Sequence, residues 1–206
     1  MKKYHSFFLS GITVVSLLAL PGYAATTYTY SSFDEPLTSA SSPQTFPMGV
    51  NASGQVVGSF KSIYNNASIG FFKSGSSYAL VSFPGAIETS ANGINDAGYI
   101  VGNYISSANA LEYGFVEYGG KYMSVKFPGT TYGQMLYDIN DSGQITGYYN
   151  DTSGYHSFVK NGNTYTAIVF PGAIGTFAQK INNAGQVVGY YEDYKFSYHG
   201  FIASPK

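Results

Sequence analysis

The sequence predicts an all-β fold: a four-bladed β-propeller in which each blade is a four-stranded antiparallel meander. Two observations lead to this prediction. A short pattern recurs four times along the 206 residues, and the strand that the fourth copy lacks stands near the N terminus. Each copy has Ile or Val before an asparagine, a glycine three residues later, and a short segment that ends in a second glycine. The asparagines are Asn51, Asn95, Asn140 and Asn182. Their spacings of 44, 45 and 42 residues indicate a repeat architecture.

The second copy shows how four strands arise. Two apolar segments, residues 91–95 and 99–104, flank an Asp-Ala-Gly turn, a pattern typical of a β-hairpin. Residues 114–117 form the third predicted strand. The fourth runs from a tyrosine to a phenylalanine, residues 122–127, and the Pro-Gly that follows ends it. No segment carries helical periodicity over a useful length, so each copy is predicted to be a meander of about 40 residues.

The last copy stops before its Tyr-to-Phe strand, and a matching strand stands near the start of the chain. Tyr28 and Phe33 are five residues apart, as in the other three copies. A propeller closes its ring when an N-terminal strand becomes the outer strand of the last blade. We therefore expect residues 27–33 to complete the last blade. The alternative is another closed or sandwich-like stack of the same meanders.

These patterns divide the chain into a leader and one domain. Residues 1–24 are predicted to be a signal peptide, and residues 25–206 a single propeller domain. The predicted blades cover residues of about 45–83, 89–127, 133–170 and 176–203, the last blade with strand 27–33 added.

The leader has the three parts of a secretory signal. Lys2 and Lys3 precede an apolar run, residues 7–20, and small residues lead up to Ala24. The run is too short for a spanning helix, although a membrane anchor is the alternative. No later stretch is long enough to span a membrane, so we expect an exported protein, periplasmic or extracellular. The chain has no cysteine, which excludes a lipoprotein anchor and disulfides.

Charge excludes one class of partner. The leader carries two lysines and no acidic residue. The rest of the chain therefore contains eight lysines and eleven acidic residues, which gives it a net charge of about −3. Arginine is absent, and recognition of phosphate or nucleic acid depends on arginine forks and basic patches. A surface rich in Tyr, Ser, Thr, Asn and Gly suits neutral extracellular polymers or other protein surfaces. We expect a monomer with no nucleic-acid partner.

One repeat family resembles this chain. Residues 181–191, followed by His199-Gly200-Phe201, are similar to the HAF repeat of bacterial extracellular proteins, and the resemblance extends from about residue 46 to residue 203. The His-x-Phe element recurs at His156-Ser157-Phe158, whereas Ile69 and Tyr113 replace the histidine in the first two blades. The resemblance implies export and repetition, and it implies no activity.

Metal-ligating residues are few, so we predict no metal and no cofactor. Only His156 and His199 follow the leader, and zinc takes three or four ligands. We interpret both as imidazoles packed beside a strand and bonded to a loop carbonyl, with a metal ligand or general base as the alternative. The segment from Asp138 to Gly143 resembles a calcium loop, but Tyr149 stands where an EF-hand has its bidentate Glu. A capped hairpin turn is the favoured interpretation.

The acidic residues of the loops leave enzymatic activity open as an alternative. They are Glu88, Glu112, Asp151, Glu192 and Asp193. Glycosidases use two carboxylates about 5–10 Å apart, and Glu88 with Asp151 or Glu192 is a candidate pair. No Gly-x-Ser-x-Gly elbow, phosphate loop or dinucleotide fingerprint is present. We therefore expect no catalytic residues.

An aromatic residue recurs two positions after the second glycine of each copy, just before the most variable loops. These residues are Phe60, Tyr104, Tyr149 and Tyr191. They are candidate ligand contacts together with His156 and His199, although interblade packing is the favoured interpretation of the four aromatic rings. The sequence thus predicts a non-catalytic exported binding or scaffold module that recognises a glycan or a protein through loops on one propeller face. The alternatives are a small glycan-directed hydrolase and a purely structural repeat protein.

Overall fold

The structure, a computed structural model, describes residues 31–34, 44–127 and 132–206. These residues contain strands and no helix, and none forms a helix that is long and apolar enough to cross a membrane. The strands are β1 (Thr45–Val50), β2 (Val56–Lys61), β3 (Ser68–Ser74), β4 (Ser77–Val81), β5 (Ala86–Ile94), β6 (Ile100–Ser106), β7 (Glu112–Tyr118), β8 (Lys121–Val125), β9 (Gln134–Ile139), β10 (Ile145–Asp151), β11 (Gly154–Asn161), β12 (Thr164–Ile168), β13 (Gly175–Ile181), β14 (Val187–Glu192) and β15 (Tyr198–Ala203).

The strands form four antiparallel sheets, each made of strands consecutive in sequence. Blades 1, 2 and 3 contain β1–β4, β5–β8 and β9–β12, and blade 4 contains β13–β15. The sheets are arranged as a four-bladed β-propeller, so the predicted fold class is confirmed. The fourth strand predicted for blade 4 depends on residues 27–30, which lie outside the described residues, as does the predicted leader.

The repeated asparagine joins neighbouring blades. The side-chain oxygen of Asn95 accepts a hydrogen bond from Tyr99 N at 2.9 Å, within its own turn. Its amide donates to Asn140 O of the next blade at 3.1 Å. Asn51 donates in the same way to Asn95 O, and Asn140 donates to Asn182 O. Because one side chain satisfies both its own turn and the neighbouring blade, the repeat requires Asn.

The second repeated glycine lies where two strands approach closely. A Cβ on Gly102 would lie 2.0 Å from Ser90 O and 2.9 Å from the ring of Phe115. The equivalent glycines, with similar clashes against the adjacent strand, are Gly58, Gly147 and Gly189. A register shift in the pairing of the first two strands of every blade accompanies this approach. The glycine is therefore a packing requirement of the blade.

The hydrophobic core lies between blades. Three clusters fill the interfaces of blades 1 and 2, 2 and 3, and 3 and 4. Phe115 and Phe158 are fully buried in them, and burying such a ring stabilises the fold by about 1.5–3 kcal/mol. The phenylalanine of each Phe-Pro-Gly segment enters the next blade. The backbone N–H groups of these phenylalanines are bound by side chains of the next inner strand: Phe83 by Thr89, Phe127 by Gln134 and Phe170 by Thr176.

Candidate functional site

The variable loops share one face of the propeller with the connections between blades. In an up-and-down meander the loop between the second and third strands and the connection to the next blade leave the sheet at the same end. The loops are residues 62–67, 107–111, 152–153 and 193–197, and the described parts of the connections are residues 82–85, 126–127, 132–133 and 169–174. We call this end the loop face. The tight hairpin turns occupy the opposite end.

Three of the four recurrent aromatic rings lie between blades. Phe60 is fully buried and Tyr104 is 7% exposed. Tyr104 stacks on Phe83 of the preceding blade with ring centroids 3.7 Å apart. Tyr149 stacks on Phe127, and Tyr191 on Phe170, both at 3.8 Å. Of the two sequence interpretations, the structure shows interblade packing, because one face of each tyrosine is covered by a phenylalanine.

Both histidines extend these stacks toward the loop face. His156 lies against Tyr149 with centroids 5.0 Å apart, and His199 lies against Tyr191 at 5.1 Å. Each imidazole contacts a carboxylate of its own loop: His156 Nε2 is 3.1 Å from Asp151 Oδ1, and His199 Nε2 is 3.3 Å from Asp193 Oδ2. The predicted partner, a loop carbonyl, is therefore replaced by a carboxylate.

Hydrogen bonds within these loops hold both aspartates ionised. Bonds from the Ser153 side chain and backbone, and then from His156, lower the pKa of Asp151. The backbone N–H of Ser197 is the first cause of the lowered pKa of Asp193. Such shifts are typical of carboxylates that accept several hydrogen bonds. The two aspartates order their loops.

Ser153, His156 and Asp151 resemble a hydrolytic triad in composition and differ from it in geometry. Nε2 of His156 faces both other groups, with Ser153 Oγ at 2.9 Å and Asp151 Oδ1 at 3.1 Å. The serine hydroxyl also donates directly to Asp151 at 2.6 Å. In a triad the aspartate holds Nδ1, so that Nε2 is left to take the serine proton. This trio closes a loop and is not arranged for acyl transfer.

A hollow of about 160 Å³ opens on the loop face beside blades 2 and 3. It is lined by Glu112, Tyr132, Gly133, Gln134, Met135, Tyr148, Asn150 and Tyr155. We call it the Glu112 hollow. Glu112 comes from the start of β7, and the other residues come from the connection to blade 3 and from strands β9, β10 and β11.

Backbone and side-chain hydrogen bonds fix the walls of the Glu112 hollow. Tyr132 N donates to Asn150 O at 3.2 Å, and Asn150 N donates to Gly133 O at 3.0 Å. Gly133 has a φ of 112°, and a Cβ there would lie 2.9 Å from Glu112 O, so only glycine fits this close approach. The Gln134 amide donates to Val125 O and accepts from Phe127 N. The walls are therefore anchored to both blades.

The hollow combines exposed aromatic rings with a carboxyl group whose pKa is raised. Tyr132 and Tyr155 are 57% and 47% exposed. Burial, with a further contribution from Glu88, raises the pKa of Glu112 to about 7. Tyr148 donates its hydroxyl to Met135 Sδ at 3.1 Å, and burial raises its pKa above the usual range. Near neutral pH the hollow therefore offers both hydrogen-bond donors and acceptors beside apolar ring faces.

Sequence reasoning counted Glu112 among the loop acids but did not assign it a site, and it missed Tyr132 and Tyr155. One signal was available. Tyr132 lies seven residues before the repeat isoleucine Ile139, and the equivalent positions hold Ile87 and Ile174. All three side chains are at least 52% exposed. The recurrence of an exposed apolar residue at this position is therefore the sequence feature that could have drawn attention to Tyr132.

Each acid of the candidate carboxylate pairs contacts a group outside its pair. Glu88 lies 4.0 Å from Lys61 Nζ and acts electrostatically on Glu112. Asp151 is held by His156 and Ser153, and Glu192 faces Tyr198, whose pKa it raises. The acid that the structure places near Glu88 is therefore Glu112.

The calcium-like segment serves an interblade contact. Asp138 Oδ1 lies 3.6 Å from Lys180 Nζ, and Asp138 Oδ2 accepts a hydrogen bond from Ile181 N of the next blade at 3.1 Å. In the described part of the chain, no three His, Asp or Glu side chains come together as metal ligands would. Asp138 thus joins blades 3 and 4.

No model of a known protein family matches the chain, and no curated protein matches it. The resemblance to HAF repeats therefore stays a prediction. Among solved structures, the chain is similar to a fucose lectin from Kordia zhangzhouensis in complex with methyl-fucoside. The two are 12% identical with a TM-score of 0.38, and the match covers 62% of this chain and 97% of the lectin chain.

Proposed function

We propose that the protein is an exported, non-catalytic binding module that recognises an extracellular glycan through its loop face. The Glu112 hollow is the observation that supports this proposal. Its rigid walls, exposed tyrosines and polar groups have the composition of small-ligand sites, where apolar surface supplies affinity and a few fixed polar groups supply orientation. Export rests on the leader sequence.

A sugar fits the chemistry of the Glu112 hollow better than a charged or purely apolar ligand. Tyrosine rings present an apolar face and a polar tip, and a sugar ring presents C–H groups and hydroxyls in the same way. Asn150 and Glu112 supply hydrogen-bonding groups at the wall. The hollow has a volume of about 160 Å³, smaller than most ligand pockets, so we expect it to hold a small part of a glycan. A protein partner is the other outcome that a binding screen distinguishes.

The test is a glycan array followed by titration calorimetry with the best-bound sugar. We expect Tyr155→Ala to weaken binding about tenfold, because the loss of an aromatic contact worth about 1.4 kcal/mol changes the dissociation constant by that factor. The matched control is Tyr118→Ala. Tyr118 is 51% exposed, similar to Tyr155, but it stands beside the β7–β8 turn on the opposite face. Equal effects of the two substitutions, or no binding to any glycan, would refute the proposal.

A glycan-directed hydrolase is the second candidate, and one observation favours it. A carboxyl group whose pKa is about 7 is matched to the role of general acid near neutral pH, and Glu88 supplies a neighbouring carboxylate. If the bound glycan is cleaved, we expect Glu112→Gln to abolish product formation while leaving binding intact. If the parent protein and Glu112→Gln both bind the glycan saturably and neither releases reducing ends, the protein is a binding module and not a hydrolase.

A further inference from the structure

A second hollow lies in the groove between blades 1 and 2, at the end where the hairpin turns lie. Glycines of the β5–β6 and β7–β8 turns stand at its rim, and Phe72 and Val81 of blade 1 face Ile100 and Glu117 of blade 2 across it. Its volume of about 320 Å³ lies within the range of about 300–1,000 Å³ that is typical of ligand pockets. We call it the Glu117 hollow.

The carboxylate of Glu117 is buried in this groove without a cation beside it. Glu117 is 9% exposed, and one of its oxygens accepts a hydrogen bond from Gly120 N at 2.6 Å. No lysine or histidine nitrogen of the described residues lies within 4 Å of this carboxylate. The lysines and the histidine outside the described residues all stand in the predicted leader, residues 1–24. Buried carboxylates are ordinarily paired, so a cation would complete this site.

The repeat shows what occupies the same position in blade 1. Glu117 pairs with the first residue of β6, and Lys73 pairs with the first residue of β2 in the same way. Lys73 Nζ donates to Gly75 O at 2.6 Å and lies 5.7 Å from the ring centroid of Tyr78. The ammonium group therefore binds a carbonyl of the following turn and lies over a tyrosine of the outer strand.

Blade 3 has the same arrangement. Lys160 pairs with the first residue of β10. Its Nζ donates to Gly162 O and lies 5.8 Å from the ring centroid of Tyr165. Two blades thus hold an ammonium group of their own at this place, where a cation is attracted both by a ring face and by a carbonyl dipole.

Blade 2 keeps the groups that attract the ammonium and lacks the ammonium itself. Tyr122 pairs with Glu117 as Tyr78 and Tyr165 pair with the two lysines. Gly119 stands two residues after Glu117, as the turn glycines stand after the lysines. Both Tyr122 and Gly119 line the hollow, and the carboxylate adds a negative charge beside them. We propose that the Glu117 hollow binds a small organic cation, an ammonium group on an aliphatic chain, in the place of the missing lysine.

The walls of the Glu117 hollow select the aliphatic part of this ligand. Phe72, Val81 and Ile100 present apolar surface next to the carboxylate. An aliphatic chain covers that surface, and burial of apolar area adds to the affinity, whereas a metal ion or a bare ammonium ion leaves it uncovered. The hollow lies at the opposite end of the propeller from the Glu112 hollow, so this proposal does not depend on glycan binding.

An NMR titration of the isotope-labelled parent protein with n-butylammonium chloride tests the proposal, and n-butanol serves as the uncharged probe with the same chain. We expect saturable shifts of the backbone amides of Gly119 and Gly120 with n-butylammonium, while the amide of Gly133 in the Glu112 hollow stays unchanged. We expect n-butanol to bind at least about tenfold more weakly, because it cannot form a charge-assisted hydrogen bond with the carboxylate.

Two substitutions of the same residue give opposite chemical changes. Glu117→Gln removes the charge, and we expect it to weaken n-butylammonium binding at least about tenfold. Glu117→Lys restores the lysine of blades 1 and 3, and we expect it to abolish saturable binding, because the protein then supplies the ammonium. The control is Asp141→Asn, which removes a carboxylate from the β9–β10 turn at the same end of the propeller, outside the hollow. We expect it to bind as tightly as the parent protein.

Three results would each overturn the proposal: no saturable shift with n-butylammonium, equal affinity for n-butylammonium and n-butanol, or saturable binding retained by Glu117→Lys. The first two are measured on the parent protein and do not depend on the folding of a variant. Thermal unfolding of Glu117→Gln and Glu117→Lys shows whether each variant is folded before its binding is compared.

Discussion

Glu112→Gln tests whether burial in the hollow controls the charge of this carboxyl group. Burial and then Glu88 raise the pKa of Glu112 from 4.5 to about 7. A raised pKa means that the folded protein holds a proton which the unfolded chain has released. Stability is therefore lost as the pH rises from about 4.5 through about 7. Glutamine keeps the shape of the protonated group and carries no charge at any pH.

The full shift corresponds to about 3 kcal/mol. Glu112 is only partly buried, so solvent screening reduces the effect to about 1–2 kcal/mol. We expect Glu112→Gln to be more stable than the parent protein by this amount at pH 8, and nearly equal to it at pH 4.5. Urea unfolding at pH 4.5, 6, 7 and 8 measures the difference. Glu88→Gln removes the second cause alone, and we expect it to shift the transition to lower pH.

An equal difference at every pH between the free energies of unfolding of the parent protein and of Glu112→Gln would contradict this prediction. A constant difference would show that the side chain matters for packing and that its charge state does not change in this window.

Three further predictions concern the interfaces between blades. Asn95→Ala removes a buried side chain that bonds both Tyr99 N and Asn140 O, so we expect urea unfolding to show a loss of about 2–3 kcal/mol. Asn182→Ala is the control, because among the described residues its exposed side chain bonds only within its own turn. An equal loss for Asn182→Ala would contradict the interblade role of Asn95. Asp96 and Asp141 each accept a backbone N–H of the preceding blade with their carboxylate, and blade 1 has Ala52 at this position. We expect Ala52→Asp to accept from Asn183 N of blade 4 and to add about 1 kcal/mol of stability. If there is no gain, Asn183 N lies out of reach. Gly102→Ala places a Cβ 2.0 Å from Ser90 O, so we expect it to lower the melting temperature. Gly98→Ala is the control, because Gly98 has a φ of 84° and open space around its Cβ position, so alanine there adds backbone strain without a clash. We expect the drop to be larger for Gly102→Ala.

Much of the fold was readable from the sequence because each repeated residue has a local structural task. The asparagine and the second glycine of the pattern meet requirements of the turn and of close strand approach, and these requirements recur in every blade. The Tyr-to-Phe spacing gave the outer strands for the same reason. The partner of the histidines was less predictable, because a loop aspartate and a loop carbonyl lie at similar distances along the chain.

The candidate site was harder to find, because it combines residues that do not repeat. Glu112 comes from blade 2, and its hollow is completed by Tyr132 and Tyr155, which are far from it in sequence. Four-fold recurrence drew attention to Tyr104 and its equivalents instead. Those rings recur because packing between blades needs them, whereas a site that binds one ligand needs its residues only once.

We propose that the Glu112 hollow holds a sugar. An NMR titration of isotope-labelled protein with the sugar that binds best on the array tests this proposal directly. We expect saturable shifts of the backbone amides of Gly133, Asn150 and Tyr155, with the amides of the β7–β8 turn unchanged. Saturable shifts confined to the hairpin-turn face, or none with any sugar, would contradict it.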